Sequence, residues 1–127
     1  MSPAPSLLVR GLRGFLTGQV RELAVGDVLV VGRSRKADLS TRIALRDGDR
    51  PDRLELMRSE PFRAVSRRHV RIHFLHPGLV EIKNLSRNGT TLDGNRIDCV
   101  AVTDLHARPR VLAVGPQEQL ELSIRTP

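Results

Sequence analysis

VRIHFLHPGLVEI, at residues 70–82, is the stretch of sequence that decides the fold. In residues 70–74 every second residue is apolar, which is the period-two pattern of a half-buried β-strand. A His-Pro-Gly turn at residues 76–78 interrupts this pattern, and a second apolar run covers residues 79–82. The stretch therefore predicts two successive strands joined by a tight turn.

Similar short apolar runs, separated by Gly, Pro, Asn and Asp, occur on both sides of this stretch. They predict strands at residues 6–12, 18–23, 28–31, 91–92, 96–97, 100–105, 111–114 and 120–124. The two runs that flank Asp93-Gly94-Asn95 are expected to form a tight hairpin. Because no segment shows a long helical period, the pattern predicts an antiparallel or mixed β-sandwich.

Residues 43–61 do not fit this pattern. Residues 46–52 are rich in Asp, Gly and Pro and are expected to form a loop. Residues 53–58, RLELMR, are compatible with one helical turn or with a short strand, and the sequence does not decide between them. The stretch leads towards Ser66, so its conformation bears on the turn that contains this serine.

A chain of 127 residues has the length of one domain with a single hydrophobic core. Cys99 is the only cysteine, which rules out an internal disulfide and favours a reducing compartment. The first residues lack the basic and apolar segments of a signal peptide. The longest apolar run, residues 28–31, is far shorter than the ~20 residues that cross a bilayer. The sequence therefore predicts a cytoplasmic protein without a membrane partner.

The formal net charge is +7, and Lys36 and Lys83 are the only lysines. The positive charge is therefore carried almost entirely by arginine, whose planar guanidinium makes bidentate contacts with phosphate and carboxylate groups. Such a charge predicts an anionic partner but does not distinguish nucleic acid, lipid headgroups and phosphopeptides. Arg68 and Arg71 are interpreted as surface charges.

Three short motifs carry the chemistry of the chain. They are Gly32-Arg33-Ser34, Ser66-x-x-His69 and Asn84-x-Ser86-x-Asn88-Gly89-Thr90. Together they supply guanidinium groups, a hydroxyl and a carboxamide, without an evident nucleophile and base. This set of groups is suited to binding a phosphate and an adjoining peptide backbone, and poorly suited to breaking a bond.

In this order, and followed by Leu92-Asp93-Gly94, the motifs resemble those of the forkhead-associated (FHA) domain, a family of phosphothreonine-peptide readers. The similarity extends from about Leu7 to Ile124. It implies an all-β fold of the FHA/SMAD-like type, a β-sandwich of about eleven short strands with its binding loops at one end. It also implies a single FHA domain over residues 6–125, after a flexible N-terminus at residues 1–5 and with one long inserted loop at about residues 43–61.

The resemblance implies a phosphopeptide-binding role for Arg33, Ser66, Arg67, Arg87 and Asn88. The first three are implied to hold the phosphate, which brings about −1.5 to −2 charges and three acceptor oxygens. Asn88 is implied to contact the peptide main chain, since its carboxamide both donates and accepts hydrogen bonds. Arg87 is expected either to contact phosphate or an acidic side chain, or to point into solvent.

Six further motif residues are expected to support the binding loops: Gly32, His69, Asn84, Ser86, Gly89 and Thr90. The two glycines are expected to allow turn conformations that other residues resist. His69 is expected to form hydrogen bonds across the loops instead of performing acid–base chemistry. Asn84, Ser86 and Thr90 are expected to tie their loop back on itself.

The leading hypothesis is a non-catalytic module that recognises phosphothreonine peptides in signalling by serine/threonine kinases. Its expected partner is a phosphothreonine-containing protein, modified by an upstream serine/threonine kinase, and no cofactor is implied. The chain is not expected to bind a metal, because His69, His73 and His76 lack a thiol or carboxylate to complete a site. An enzyme is disfavoured because Ser66 lies three residues from its nearest histidine on one turn, with no orienting acid.

Two other functions remain open from the sequence. One is a phosphate-independent protein-interaction scaffold, which the intact Arg33, Ser66 and Asn88 disfavour. The other is an arginine-rich nucleic-acid binder, which the net charge favours. The chain has three phenylalanines and no tyrosine or tryptophan, so side chains for base stacking are scarce and nucleic acid is disfavoured. The oligomeric state is left open.

Overall fold

Residues 4–127, which the computed structural model describes, form eleven strands and three short helices. The strands are β1 (Ser6–Arg13), β2 (Val20–Leu23), β3 (Val28–Gly32), β4 (Leu39–Ser40), β5 (Val70–His76), β6 (Leu79–Asn84), β7 (Thr90–Leu92), β8 (Asn95–Ile97), β9 (Cys99–Val102), β10 (Arg110–Val114) and β11 (Glu118–Arg125). The helices are α1 (Thr41–Asp47), α2 (Arg53–Arg58) and α3 (Glu60–Arg63). Of the predicted flexible N-terminus, residues 1–3 lie outside the described residues, and Ala4 and Pro5 precede β1.

The strands form two sheets that share one core. One sheet has six strands in the order β2-β1-β11-β10-β7-β8, and the other has five in the order β4-β3-β5-β6-β9. Neighbouring strands pair antiparallel, except that β3 and β4 are parallel. Leu7 and Leu122 from the first sheet belong to the same hydrophobic cluster as Ile72 and Phe74 from the second. The predicted all-β sandwich is therefore confirmed.

Strands β5 and β6 form the hairpin predicted from residues 70–82. Ile72 pairs with Ile82 and Phe74 pairs with Val80, and all four side chains are fully buried. The alternate polar residues of β5 are only partly buried, so its two faces differ as the period-two pattern predicts. This hairpin lies in the middle of the five-stranded sheet.

The strand predicted at residues 100–105 needs correction, and one observed strand is not predicted from the sequence. The strand expected at residues 100–105 is shorter, because β9 ends at Val102 and Leu105 packs into the core from the following turn. The apolar character of Leu105 therefore reflects burial and not strand structure. β4 has only two residues, too few to show an alternation, and the sequence does not predict it.

The segment from α1 to α3, residues 41–63, is called the helical segment below. Its first helix follows Ser40, whose hydroxyl accepts a hydrogen bond of 3.2 Å from the Ile43 N–H, as a helix N-cap does. This helix includes residues 46–47, which the sequence places in a loop, while residues 53–58 prove to be helical. Within residues 4–127, no helix is long and apolar enough to span a membrane.

The helical segment packs against the sandwich through the buried side chains of Leu45 and Phe62. The Phe62 ring meets the Phe15 ring edge to face, with centroids 5.6 Å apart and an interplanar angle of 87°. Phe15 lies in the β1–β2 turn, which Glu118 holds by accepting hydrogen bonds from the Phe15 N–H at 2.5 Å and the Leu16 N–H at 3.2 Å. Burial raises the pKa of the Glu118 carboxyl.

Candidate functional site

Arg33, Ser66, Arg67, Arg87 and Asn88 line one open cavity of about 590 Å³. They come from three different loops, which follow β3, precede β5 and follow β6. Because β5 pairs antiparallel with both β3 and β6, the end of β3, the start of β5 and the end of β6 meet at one end of the sheet. The structure thus brings together all five side chains predicted to bind a phosphopeptide.

Arg33 is fixed to the loop that contains Ser66 through both its backbone and its side chain. The Arg33 N–H donates to the Ser66 carbonyl at 2.9 Å, and the Arg33 Nε donates to the Val65 carbonyl at 2.9 Å. The Arg33 side chain is partly buried. Its two terminal Nη groups form no hydrogen bond within residues 4–127, so the outer edge of the guanidinium is oriented and available to a ligand.

Gly32 permits the close approach of these two loops. A Cβ at this position would lie 2.1 Å from the Arg67 carbonyl oxygen and 2.9 Å from the Ser66 carbonyl oxygen. Gly32 has no positive φ, so the prediction that it allows a turn conformation is wrong. The requirement for glycine here is space for a neighbouring backbone. Gly89, by contrast, has φ +95°, a conformation that favours glycine.

His69 connects the loops from a fully buried position. Its Nδ1 accepts a hydrogen bond of 3.0 Å from the Ser66 N–H, and its Nε2 lies 2.8 Å from the Gly89 carbonyl oxygen. This pair of contacts requires a neutral ring with its proton on Nε2. Burial lowers the pKa of His69, although the Gly89 carbonyl opposes this shift. His69 therefore acts as an uncharged bridge between two loops of the site.

The loop between β6 and β7 is held by a small polar network. The Asn84 Oδ1 accepts hydrogen bonds from the Ser86 N–H at 3.1 Å, the Ser86 hydroxyl at 2.6 Å and the Thr90 hydroxyl at 2.9 Å. The Ser86 Oγ in turn accepts one of 2.9 Å from the Gly89 N–H. These contacts fold the loop onto the side chain of Asn84 and leave Asn88 at its exposed tip.

Asn88 links this tip to the end of the helical segment. Its Nδ2 donates to the Ala64 carbonyl at 2.9 Å. The Oδ1 atom forms no hydrogen bond within residues 4–127, and the side chain is exposed. Asn88 thus retains an acceptor and a second N–H for a ligand while its orientation is set by residue 64.

Ser66 and His69 are not arranged as a nucleophile and its base. The ring of His69 faces the backbone N–H of Ser66, and no hydrogen bond within residues 4–127 involves the Ser66 hydroxyl. A histidine that activates a serine would have to accept the hydroxyl proton.

Across the described chain, no group of three or more His, Cys, Asp or Glu side chains is arranged to hold a metal ion.

The cavity is strongly cationic. Arg63 and Arg68 also line it, together with Leu85. The arginines of the cavity form no ion pair within residues 4–127. Partial burial lowers the pKa of Arg33, and the nearby guanidinium groups of Arg67, Arg42 and Arg63 lower it further. This uncompensated charge makes the cavity attractive to anions.

Two of these cavity arginines are not predicted from the sequence. Arg68, interpreted as a surface charge, is exposed and lines the cavity, and its place in the Ser66 turn was the available signal. Arg63 belongs to no motif, and only the helical segment brings it to the site. Arg71 is a surface residue paired with Glu81 at 3.4 Å.

The sequence profile of the FHA domain family matches residues 29–112. This range is well over half of the chain, and it contains every residue predicted to bind a phosphopeptide or to support the binding loops. Among curated proteins, none matches the sequence.

Solved structures with a similar fold include three FHA domains. One, from an Arabidopsis thaliana protein, has 21% sequence identity and a TM-score of 0.70, covering 98% of this chain and 89% of that one. The FHA domain of the CT664 protein from Chlamydia trachomatis has 21% identity and a TM-score of 0.64, covering 91% and 95%. A third comes from a structural and functional analysis of phosphothreonine-dependent FHA domain interactions, with 22% identity, a TM-score of 0.59, and coverage of 96% and 97%.

Proposed function

The chain belongs to the FHA domain family, and we propose that it is a non-catalytic module that binds a phosphothreonine segment of a partner protein. The observation that carries this proposal is the convergence of Arg33, Ser66 and Asn88 on one cationic cavity. Phosphothreonine-dependent interactions have been analysed for an FHA domain of similar fold, which supports the same ligand class here.

Arg33 binds the phosphate through its two Nη groups in this proposal, because its Nε is already engaged by the Val65 carbonyl. Ser66 donates its hydroxyl, and Arg67 and Arg87 add positive charge from exposed positions in the same cavity. A phosphothreonine carries about −1.5 to −2 charges and three strong acceptor oxygens at neutral pH. Charge-assisted and bidentate hydrogen bonds of this kind are the strong ones.

Asn88 contacts the main chain of the bound peptide. Its free Oδ1 accepts a hydrogen bond from a peptide N–H, and its second Nδ2 proton is donated to a peptide carbonyl. Because the bond to Ala64 orients the carboxamide before the ligand arrives, binding loses little side-chain entropy at this residue. The peptide is therefore held next to the phosphate in an extended conformation.

The supporting residues keep the cavity formed in the absence of ligand. They are Gly32, His69, Asn84, Ser86, Gly89 and Thr90. Gly32 lets the first two loops approach, His69 bridges two loops, and the network around Asn84 shapes the third. Loops ordered in advance bind more tightly than loops that must be ordered by the ligand.

The expected binding energy is sufficient for a regulated interaction. Hydrogen bonds to charged groups contribute about 1.5–3 kcal/mol each, so three to the phosphate give roughly 4–9 kcal/mol before ordering costs. A micromolar dissociation constant corresponds to about 8 kcal/mol. Phosphate recognition therefore supplies most of the affinity, and the unphosphorylated segment binds weakly.

The setting that we propose is cytoplasmic signalling by serine/threonine kinases. An upstream kinase creates the phosphothreonine, and this module then recruits the modified protein. An exposed free thiol such as that of Cys99 remains reduced in the cytoplasm. The module performs no chemistry on its ligand, because His69 is buried, neutral and hydrogen-bonded away from the Ser66 hydroxyl.

The proposed function is tested by titrating the chain with one peptide in three forms, carrying threonine, phosphothreonine or phosphoserine. The peptide is selected from a randomised phosphothreonine library. We expect calorimetry to detect tight binding of the phosphothreonine form only. Arg33→Gln should weaken it at least tenfold, because one charge-assisted contact contributes about 1.5–3 kcal/mol.

Arg125→Gln is the matched control, because it removes the same charge from the far end of β11, where Arg125 forms an exposed ion pair with Glu22. This variant should bind like the unmodified chain. Equal affinity for the threonine and phosphothreonine peptides would overturn the proposal, and a phosphate-independent scaffold would then be the better description.

The second function that an observation favours is nucleic-acid binding, because the arginines of the cavity form no ion pair within the described residues. The lining contains no aromatic side chain on which a base could stack, and Phe62 and Phe74 are buried. DNA binding with a steep salt dependence that survives Arg33→Gln would favour this alternative.

A further inference from the structure

The cavity carries more positive charge than one phosphate balances. Five arginines line it, and no acidic side chain does. A phosphothreonine brings at most about two negative charges. Within residues 4–127 none of the five is neutralised by an ion pair. The excess indicates a ligand with negative charge beyond its phosphate.

Part of this excess comes from the helical segment, outside the motifs of the family. Arg63, the last residue of α3, lines the cavity, and Arg42 lies in the first turn of α1. The guanidinium groups of both residues act on Arg33 and lower its pKa, after burial and Arg67. The helical segment therefore adds one arginine to the lining of the cavity, and a second arginine whose charge acts on Arg33.

Arg63 also lines a second groove, which adjoins the cationic cavity. This groove has a volume of about 640 Å³, and it shares Arg63 and Asn88 with the cationic cavity. Arg58, Glu60 and Pro116 contribute to its walls. A peptide that runs from the phosphate past Asn88 into this groove would pass directly by Arg63.

Arg63 is held at this junction by the packing of its helix. Its backbone N–H donates to the Ser59 carbonyl at 3.1 Å, and the neighbouring Phe62 is almost fully buried. The next residue, Ala64, accepts the hydrogen bond of the Asn88 carboxamide. The Arg63 side chain is exposed and forms no ion pair within the described chain. The backbone at Arg63 is therefore fixed, while its guanidinium group has no ion-pair partner in the described chain.

We propose that the site reads a second negative charge on the same peptide, and that Arg63 is the residue that determines this specificity. The preferred ligand is then a phosphothreonine in an acidic segment, with a flanking carboxylate at the junction of the two cavities. This inference rests on the proposed function, because it assumes that the phosphothreonine occupies the cavity lined by Arg33 and Ser66.

A peptide fits these observations better than a nucleic acid. Glu60 lies on the wall of the second groove, where it would repel a continuous chain of phosphates but tolerate a peptide with one or two separate charges. Asn88, which lines both cavities, offers hydrogen-bonding groups matched to a peptide main chain.

The test uses a phosphothreonine peptide with neutral flanks and a series in which glutamate replaces one flanking residue at a time. Binding to the unmodified chain is measured by fluorescence anisotropy. We expect glutamate to raise the affinity about fivefold at one or more positions on one side of the phosphothreonine, which corresponds to a favourable exposed ion pair. The gain should shrink as salt is added, because salt screens the pair.

Three variants test whether Arg63 causes this gain in affinity. The gain is measured within each variant as the ratio of the affinities for the acidic and the neutral phosphopeptide. Arg63→Gln should reduce this ratio to one, and Arg63→Lys should retain part of it. The distant control Arg125→Gln should retain all of it. Equal affinity for neutral and acidic phosphopeptides overturns the inference and leaves the proposed function intact. A gain that survives Arg63→Gln also overturns it. If no phosphothreonine peptide binds, the proposed function fails together with this inference, and a DNA oligonucleotide that then binds at physiological salt supports the nucleic-acid alternative.

Discussion

His69 shows how one neutral side chain can join the loops of a binding site. It accepts from the Ser66 N–H and reaches the Gly89 carbonyl, and both contacts depend on a ring with a proton on Nε2 alone. A proton on Nδ1 would face the Ser66 N–H, so protonation breaks the bridge. The low pKa of the buried ring protects the site from this event near neutral pH.

Stability should therefore fall in mild acid. The folded chain has a His69 pKa below its ordinary value of 6.5, so the unfolded chain binds more protons below that pH. The contribution of His69 to the free energy of unfolding is present above about pH 6.5. It is lost as the pH decreases, by up to about 1.4 kcal/mol per pH unit. Urea denaturation at about pH 7.5 and about pH 5.5 measures this loss.

Glu118 is the group that complicates this measurement. Burial raises its pKa, so the folded chain holds the Glu118 proton more tightly and decreasing pH favours the folded state through this residue. The variant Glu118→Gln lacks this opposing effect. Its free energy of unfolding should therefore decrease between the two pH values by at least as much as that of the unmodified chain. An unchanged or increased stability in acid would show that His69 is not held neutral by burial.

At the level of single residues, the motifs predicted which side chains would meet but not all of their contacts. Arg33, Ser66 and Asn88 were identifiable because they lie in the three motifs that resemble those of the FHA family. The close approach at Gly32 depends on the pairing of β3 with β5, which no local pattern shows. Arg63 was missed because its position depends on the packing of a helix with no motif of its own.

The helical segment is the element that the sequence describes least well. Its three helices have seven, six and four residues, and its side chains are mostly exposed. Helices this short bury too few residues to show a 3.6-residue period. The strands were easier to predict, because alternation is visible in as few as five residues when one face is buried, as in β5.

The packing of this element can be tested at Phe62, which anchors α3 against Phe15. Phe62→Ala should lower the free energy of unfolding by about 3–5 kcal/mol, the usual cost of removing a buried aromatic side chain. It should also weaken phosphopeptide binding, because Ala64 follows in the chain and orients Asn88. Urea denaturation and peptide titration give the two readouts.

Leu54→Ala provides the control for this prediction. Leu54 lies in the same helical segment with 66% of its surface exposed, so its truncation should change the stability by less than about 0.5 kcal/mol. If the Phe62 and Leu54 variants were equally stable, the helical segment would not be packed on the sandwich as described.

At the scale of the whole molecule, two sheets around one core place the three loops at one end. The sandwich could be predicted because short strands recur at regular intervals along the chain. The order of the strands could not, because β1 pairs with β11 across nearly the full length of the sequence. Such pairing is determined by the packing of the complete core and has no signal in any local segment.

The central claim is that separate loops of this sandwich form a single site for one phosphothreonine. It predicts that the amide signals of residues 33–34, 66–67 and 87–89 should change together when a phosphothreonine peptide is bound, while those of β2 and the far end of β11 remain unchanged.

The most direct measurement is an NMR titration of the ¹⁵N-labelled chain with the phosphothreonine peptide and with its unphosphorylated form. The account predicts shifts in all three loops that saturate at one peptide per chain, and none with the unphosphorylated form. Shifts confined to one loop, or centred on residues outside the cavity, would contradict it.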